Sequence, residues 1–215
     1  MGKVFGGVYS NWTGKVGNVV ARKRQGRTIL SIYQPDVHNP RTAAQVSQRN
    51  KFGLLTSMLS TITGFVRVGF HMLDGYKTGN AFSSCVGYNL KNPGVFTTGQ
   101  GGVLELDLTK IAISEGGLDL PYSPSASAEG TTVSFTWADN SGMGNANTDD
   151  DVMVCAYNAT KNQGVYNVRL AQRNDRNATM TLPSTWTGDT INIWMAMKSK
   201  GGECSPSTHL ATLAL

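Results

Sequence analysis

The chain has 215 residues, 40% of them hydrophobic and 15% charged, with 25 glycines; it is long enough to bury a core as one large domain or two small ones, which excludes a disordered tail and disfavours a helical bundle. Its formal charge of +5 is unevenly held: Met1 to Lys51 carries nine bases (Lys3, Lys15, Arg22, Lys23, Arg24, Arg27, Arg41, Arg49 and Lys51) against the one acid Asp36, net +8, which leaves −3 for the rest. No run approaches the roughly twenty apolar residues of a membrane span, and Met-Gly-Lys-Val-Phe-Gly-Gly is no secretory signal, so synthesis in the cytoplasm without a leader is expected.

Taken in chain order, a short strand is expected around Val4 to Tyr9, followed by a β-hairpin over Gly17 to Gln34. The hairpin's apolar runs are Val19-Val20-Ala21 and Ile29 to Tyr33, and its turn falls at Arg24-Gln25-Gly26. Asn39-Pro40-Arg41-Thr42 is a helix-start signal, with Asn39 or Thr42 as cap. Across Ala43 to Leu73, Val46, Leu54, Leu55, Met58, Leu59, Ile62, Phe65, Val66 and Phe70 recur at three- and four-residue steps. That spacing predicts an amphipathic helix, kinked or interrupted at Gly64, whose stripe reads as core. A second helix over Asn80 to Leu90 lays Phe82, Val86 and Leu90 against the first and stops at Asn92-Pro93-Gly94. Gly99 to Gly102 reads as a seam, dividing the chain into 1–102 and 103–215. Beyond it seven strands are expected: Lys110–Ser114, Thr131–Trp137, Asp151–Tyr157, Val165–Ala171, Ala178–Leu182, Thr190–Met197 and Thr208–Leu213.

The placing of Trp137 on the second of these strands, Leu182-Pro183 ahead of Trp186, and the alternating Ile191, Ile193 and Met195 resembles a fibronectin type III or immunoglobulin-like sandwich over the last hundred residues. That resemblance implies a fold and an adhesive or scaffolding role, and no reaction. Further motifs run through nearly the whole chain: Gly2-Lys3 with Gly6-Gly7, Gly14-Lys15-Val16-Gly17-Asn18, Asn39-Pro40-Arg41-Thr42 with Gln45 and Gln48-Arg49, Tyr88 to Asn92, and Phe135 to Gly142. They resemble a family encoded by Bacteroidota and by their phages and prophages, for which no catalytic residues carry over.

Little in the sequence points to catalysis. Asp149-Asp150-Asp151, after Asp139-Asn140-Ser141-Gly142, offers hard oxygen ligands for Ca²⁺, yet its spacing is not that of an EF-hand, and a solvated loop is the preferred reading. His38, His71 and His209 show no ligand or triad spacing. Cys85, Cys155 and Cys204 are odd in number and far apart and read as buried thiols, with a Cys155–Cys204 bridge as the alternative. No cofactor and no enzymatic activity are expected.

The interaction residues are the basic set Arg22, Lys23, Arg24 and Arg27, with Arg41 and Arg49. They dock the arm on an acidic neighbour, such as the back half of another copy, or form a charged strand edge that discourages aggregation, or neutralise nucleic-acid phosphates with Tyr33 and Trp12 as stacking residues. A third reading gives the sandwich loops a binding role through Trp186 and Tyr122. The fold expected is mainly β with a helical hairpin: a basic β-hairpin arm, two helices and a carboxyl-terminal immunoglobulin-like β-sandwich. The expected function is structural and non-enzymatic, in a bacteriophage virion made in a host cytoplasm. A tail or head-to-tail connector ring is preferred to capsid decoration, with copies of the chain and other virion proteins as partners.

Overall fold

Short alternating runs punctuated by glycine make the amino-terminal segment a sheet. The structure is a computed structural model that describes residues 2–4, 12–24, 26–36, 39–71 and 80–215, and it divides into two compact units, Met1–Gln45 and Val46–Leu215. The first unit holds β1 (Gly2–Val4), β2 (Gly14–Val16), β3 (Val19–Arg24) and β4 (Arg27–Ile32), antiparallel in the order β1-β4-β3-β2. The expected hairpin is β3–β4. Its register closes with Arg24 opposite Arg27, and Gly26 takes the left-handed backbone (φ 75°) that such a tight turn requires. Of the strand expected over Val4 to Tyr9, only Val4 lies in β1; the rest falls outside the described residues. Among the side chains described in this unit, Ala21 and Thr28 alone are buried.

At the unit boundary, Thr42 Oγ1 accepts the Gln45 N–H (3.3 Å) and starts α1 (Ala43–Thr61). Residues 43–50 are exposed throughout, and burial begins at Leu55, Met58 and Leu59. The expected single helix to Leu73 breaks earlier than Gly64: α2 (Thr63–Gly69) leaves α1 at 94° across Ile62. Hydroxyls explain the position of the break. Ser60, Thr61 and Thr63 donate back to the carbonyls of Ser57, Met58 and Ser60 at 2.7–2.9 Å, in competition with the helix's own ladder. Gly64 instead makes room for the Tyr166 ring, whose Oη would lie 2.1 Å from an added Cβ. The next helix, α3 (Ala81–Lys91), is capped by Asn80, whose side chain accepts the Phe82 N–H (3.2 Å); it ends at Asn92-Pro93-Gly94 and packs on α2.

A small ribbon follows, β5 (Phe96–Thr98) with β6 (Leu104–Leu106), and then two larger sheets. One orders β11 (Asn177–Thr181), β8 (Thr132–Ala138) and β7 (Tyr122–Glu129); the other orders β10 (Gln163–Gln172), β9 (Asp151–Asn158), β12 (Thr190–Lys198) and β13 (Thr208–Ala214). Six of the seven expected strands appear. The first, Lys110–Ser114, is a 3-10 turn (Leu108–Lys110) and an extended segment whose polar groups are met by side chains rather than by a neighbouring strand. Asn89 Oδ1 takes the Ala112 N–H (2.9 Å), Asn89 Nδ2 donates to Ala112 O (2.7 Å), and Ser207 Oγ takes the Ile113 N–H (2.9 Å). β7 is the strand the sequence hides. Its inward residues are Pro124, Ala126 and Ala128, too small for an alternation signal, and Pro124 suits an edge.

Val133, Phe135 and Trp137 of β8 share a core with Val152, Val154 and Ala156 of β9 and with Ile191, Ile193, Met195 and Met197 of β12. The intervening residues of the same two strands, Met153, Cys155, Tyr157, Trp194 and Ala196, bury the helical stripe Leu55, Met58, Leu59, Ile62, Phe65, Val66 and Phe70. The second unit is therefore mixed helix and sheet in three layers: a three-stranded sheet, a four-stranded sheet and helices. Each large apolar side chain so buried contributes roughly 1.5–3 kcal/mol. This second core is why the chain divides at Gln45/Val46, where the sequence places a seam at 102/103: the helices and the strands close one another's faces.

Candidate functional site

Strand register sorts the cations of the arm. Directly opposed residues of antiparallel strands point to the same side, and Lys15 faces Val20, Arg22 faces Ile29, and Arg24 faces Arg27. Lys15, Arg22, Arg24 and Arg27 therefore occupy one face of the sheet, spread over β2, β3 and β4. Tyr33 joins them, its ring 3.4 Å from Lys15 Nζ at the centroid. Arg24 and Arg27 form a like-charged pair directly opposed across the hairpin. Lys23 lies on the other face, opposite Thr28. Arg41 follows the sheet with φ 48°, its N–H donating to Asn39 Oδ1 (3.4 Å), and Arg49 is carried on the exposed part of α1 in the second unit. Of the six interaction residues read from the sequence, three thus converge, and Lys15 is the member that reading leaves out. Only the pairing of Lys15 with Val20 places it there.

The reverse face is apolar at the end away from the turn. Val16 is opposite Val19 and Val19 opposite Ile32, a row across three strands with exposures of 61%, 36% and 79%.

Among the described residues of the second unit, the candidate ligands read from the sequence do not come together. Asp149 pairs with Lys200 (2.5 Å), Asp150 with Arg173 (2.9 Å) and Asp151 with Arg169 (3.0 Å), so the three consecutive aspartates are claimed by three different cations instead of converging on a calcium site. Among the described residues no group of three or more His, Cys, Asp or Glu side chains could hold a metal. Cys85, Cys155 and Cys204 are buried and unbridged. Burial pushes the first two thiols far up and Cys204 to about 11, despite the Lys198 charge, so none forms a thiolate near neutral pH. His38 lies outside the described residues and His71 is exposed. Trp186 is no loop contact: it is buried, and its Nε1–H donates to Gln163 Oε1 (3.0 Å). Tyr122 is exposed, its hydroxyl against Met143 Sδ (3.5 Å). No single helix among the described residues is long and apolar enough to cross a membrane.

His209 is structural and pH-sensitive. Its Nε2–H donates to Asn192 Oδ1 (3.0 Å) and its ring meets Trp194 edge-on at 5.3 Å. Burial holds the imidazole below its ordinary value of 6.5, with Asp107 opposing the shift. The folded state thus favours the neutral ring. Its contribution is complete above the unfolded value and is lost as pH falls through the lower folded one, because the unfolded chain binds the proton first. In His209→Gln, the loss of stability between pH 7.5 and pH 5.5 is expected to be smaller than in the parent, read from urea midpoints at the two pH values; an equal loss assigns the acid sensitivity elsewhere.

Comparison with known proteins places these features. A family model described as "Family of unknown function (DUF6266)" matches residues 10–210. No curated protein matches the chain. Among solved structures, module A71 of titin from human cardiac muscle is similar at 15% identity over 45% of this chain and 91% of that one, with a TM-score of 0.34. The fourth fibronectin type III domain of a human protein is similar at 17% identity over 54% and 93%, with a TM-score of 0.29.

Proposed function

We propose, for a chain that belongs to DUF6266, a family of unknown function, that it is a non-enzymatic assembly protein which self-associates through its amino-terminal arm. The observation that carries this reading is the row Val16, Val19 and Ile32, bare on a sheet in which Ala21 and Thr28 are the buried residues among the side chains described. A sheet that closes so little of its own surface needs a neighbour to cover it. Residues 43–50 of α1 support the same reading, since helical turns exposed on every side chain are marginal in water. The two larger sheets with their common core are read as an immunoglobulin-like sandwich serving as the body of each subunit. The motif resemblance given above supports a bacteriophage particle as the setting, in a tail or head-to-tail connector.

Light scattering on the purified protein tests this. The full chain is expected as a discrete oligomer at micromolar concentration. Ile32→Asp, which puts a charge into the apolar row, and a chain lacking residues 1–34 are both expected as monomers. A full chain that stays monomeric at every concentration overturns self-association as an intrinsic property.

A further inference from the structure

We infer that the opposite, basic face of the arm sheet is a platform for single-stranded nucleic acid. Lys15, Arg22, Arg24 and Arg27 stand on three adjacent strands, so their attachment points form a grid of about 7 Å along a strand by 5 Å between strands. A phosphate chain laid across that grid meets several cations at once, the directly opposed Arg24 and Arg27 among them. Tyr33 is 39% exposed on the same side. Lys15 stands over one side of its ring, and the exposed part of the ring is what a base would stack on. A sheet face with an exposed aromatic residue suits an unpaired strand, whose bases can be splayed out, better than a duplex.

Charge complementarity favours nucleic acid over an acidic protein surface. The first unit has a single acid, Asp36, and it lies outside the strands, so the face offers no negative group with which to read a mixed-charge partner. In a second copy of the chain Asp107, Asp139, Asp149, Asp150, Asp151 and Asp189 already hold Lys110, Arg176, Lys200, Arg173, Arg169 and Lys161 of their own unit, so those six compete with cations already in place, while the apolar row on the reverse face serves the contact between copies.

The test is fluorescence anisotropy of a labelled oligo-dT against the full chain over a range of salt concentration. With four cations engaged, log K is expected to fall against log salt with a slope of about −3, and Arg22→Ala with Arg24→Ala to reduce its magnitude by about 1.4. Lys23→Ala removes the same charge from the other face and is expected to change affinity less than about twofold, because solvent and salt screen it from the bound strand. Tyr33→Ala is expected to weaken binding about tenfold, with Tyr33→Phe retaining it. Lys23→Ala and Arg24→Ala losing equal affinity would overturn the facial assignment. Poly-glutamate competing as well as oligo-dT would overturn nucleic acid in favour of an acidic protein. Both outcomes are readable whether or not Ile32→Asp changes the oligomer.

Discussion

Arg173→Ala is expected to destabilise the second unit by about 3–5 kcal/mol, the cost of leaving a buried carboxylate without its cation. Arg173 is wholly buried. It gives two hydrogen bonds to Asp150 Oδ2 (3.1 and 2.9 Å), one to Asn140 Oδ1 (2.6 Å) and one to the Asp119 carbonyl (2.7 Å), while its own carbonyl accepts the Trp137 Nε1–H (2.7 Å). One guanidinium therefore ties the loops on either side of β7 and β8 to the entry of β9. Asp150 Oδ1 already has no partner, and Oδ2 would keep only the Asn147 N–H (2.9 Å) when the arginine is cut back. At about 2–4 °C per kcal/mol for a unit of this size, Tm should fall by roughly 6–20 °C. Arg173→Met combined with Asp150→Leu removes both charges and is expected to lose less than Arg173→Ala alone. A loss below about 1 kcal/mol in the single variant would mean that water reaches the pair and screens it as it does a surface ion pair.

The second large effect is expected from Phe65→Ala, at about 3–5 kcal/mol. Phe65 lies fully buried at the start of α2, among the residues that join the helices to β9 and β12, and its ring meets Tyr166 of β10 edge-on at 6.4 Å. The chain threads closely here: an added Cβ on Gly164 of β10 would come within 2.3 Å of Ile62 Cγ2, so the corner between α1 and α2 rests directly on the strand. Because the helices close the outer face of the four-stranded sheet, helical circular dichroism and tryptophan fluorescence should report one transition in urea, shifted to lower denaturant with an unchanged slope. Two separated transitions would restore the boundary near residue 102 as a real division of stability.

Legibility in the sequence followed side-chain size and the number of buried faces. Phe135 and Trp137 announce β8 by alternation, and the unbroken apolar run Val152 to Tyr157 is what a strand covered on both sides looks like, although its second covering, the helices, is not written locally. β7 is silent because Ala126 and Ala128 are small. The Lys110–Ser114 segment reads as a strand because it is apolar and extended, but its hydrogen bonds come from Asn89 and Ser207, both distant in sequence. The basic set was visible as composition, whereas its division into Lys15, Arg22, Arg24 and Arg27 on one side and Lys23 on the other needs the register. Asp149, Asp150 and Asp151 read as a solvated loop, with calcium as the lesser alternative; Asp150 and Asp151 are in fact buried, and their cations at 200, 173 and 169 are separate in the chain, so only the folded chain shows that each aspartate is already taken.

The middle layer also dictates the order in which the protein can be completed during synthesis. The stripe from Leu55 to Phe70 leaves the ribosome well before Trp194 and Ala196, which cover it. At about 5–20 residues per second the delay is on the order of ten seconds, during which an apolar helical segment waits without its sheet. The nascent chain is thus most in need of a chaperone over residues 55–70, and a slow stretch of translation after residue 70 would lengthen that exposure.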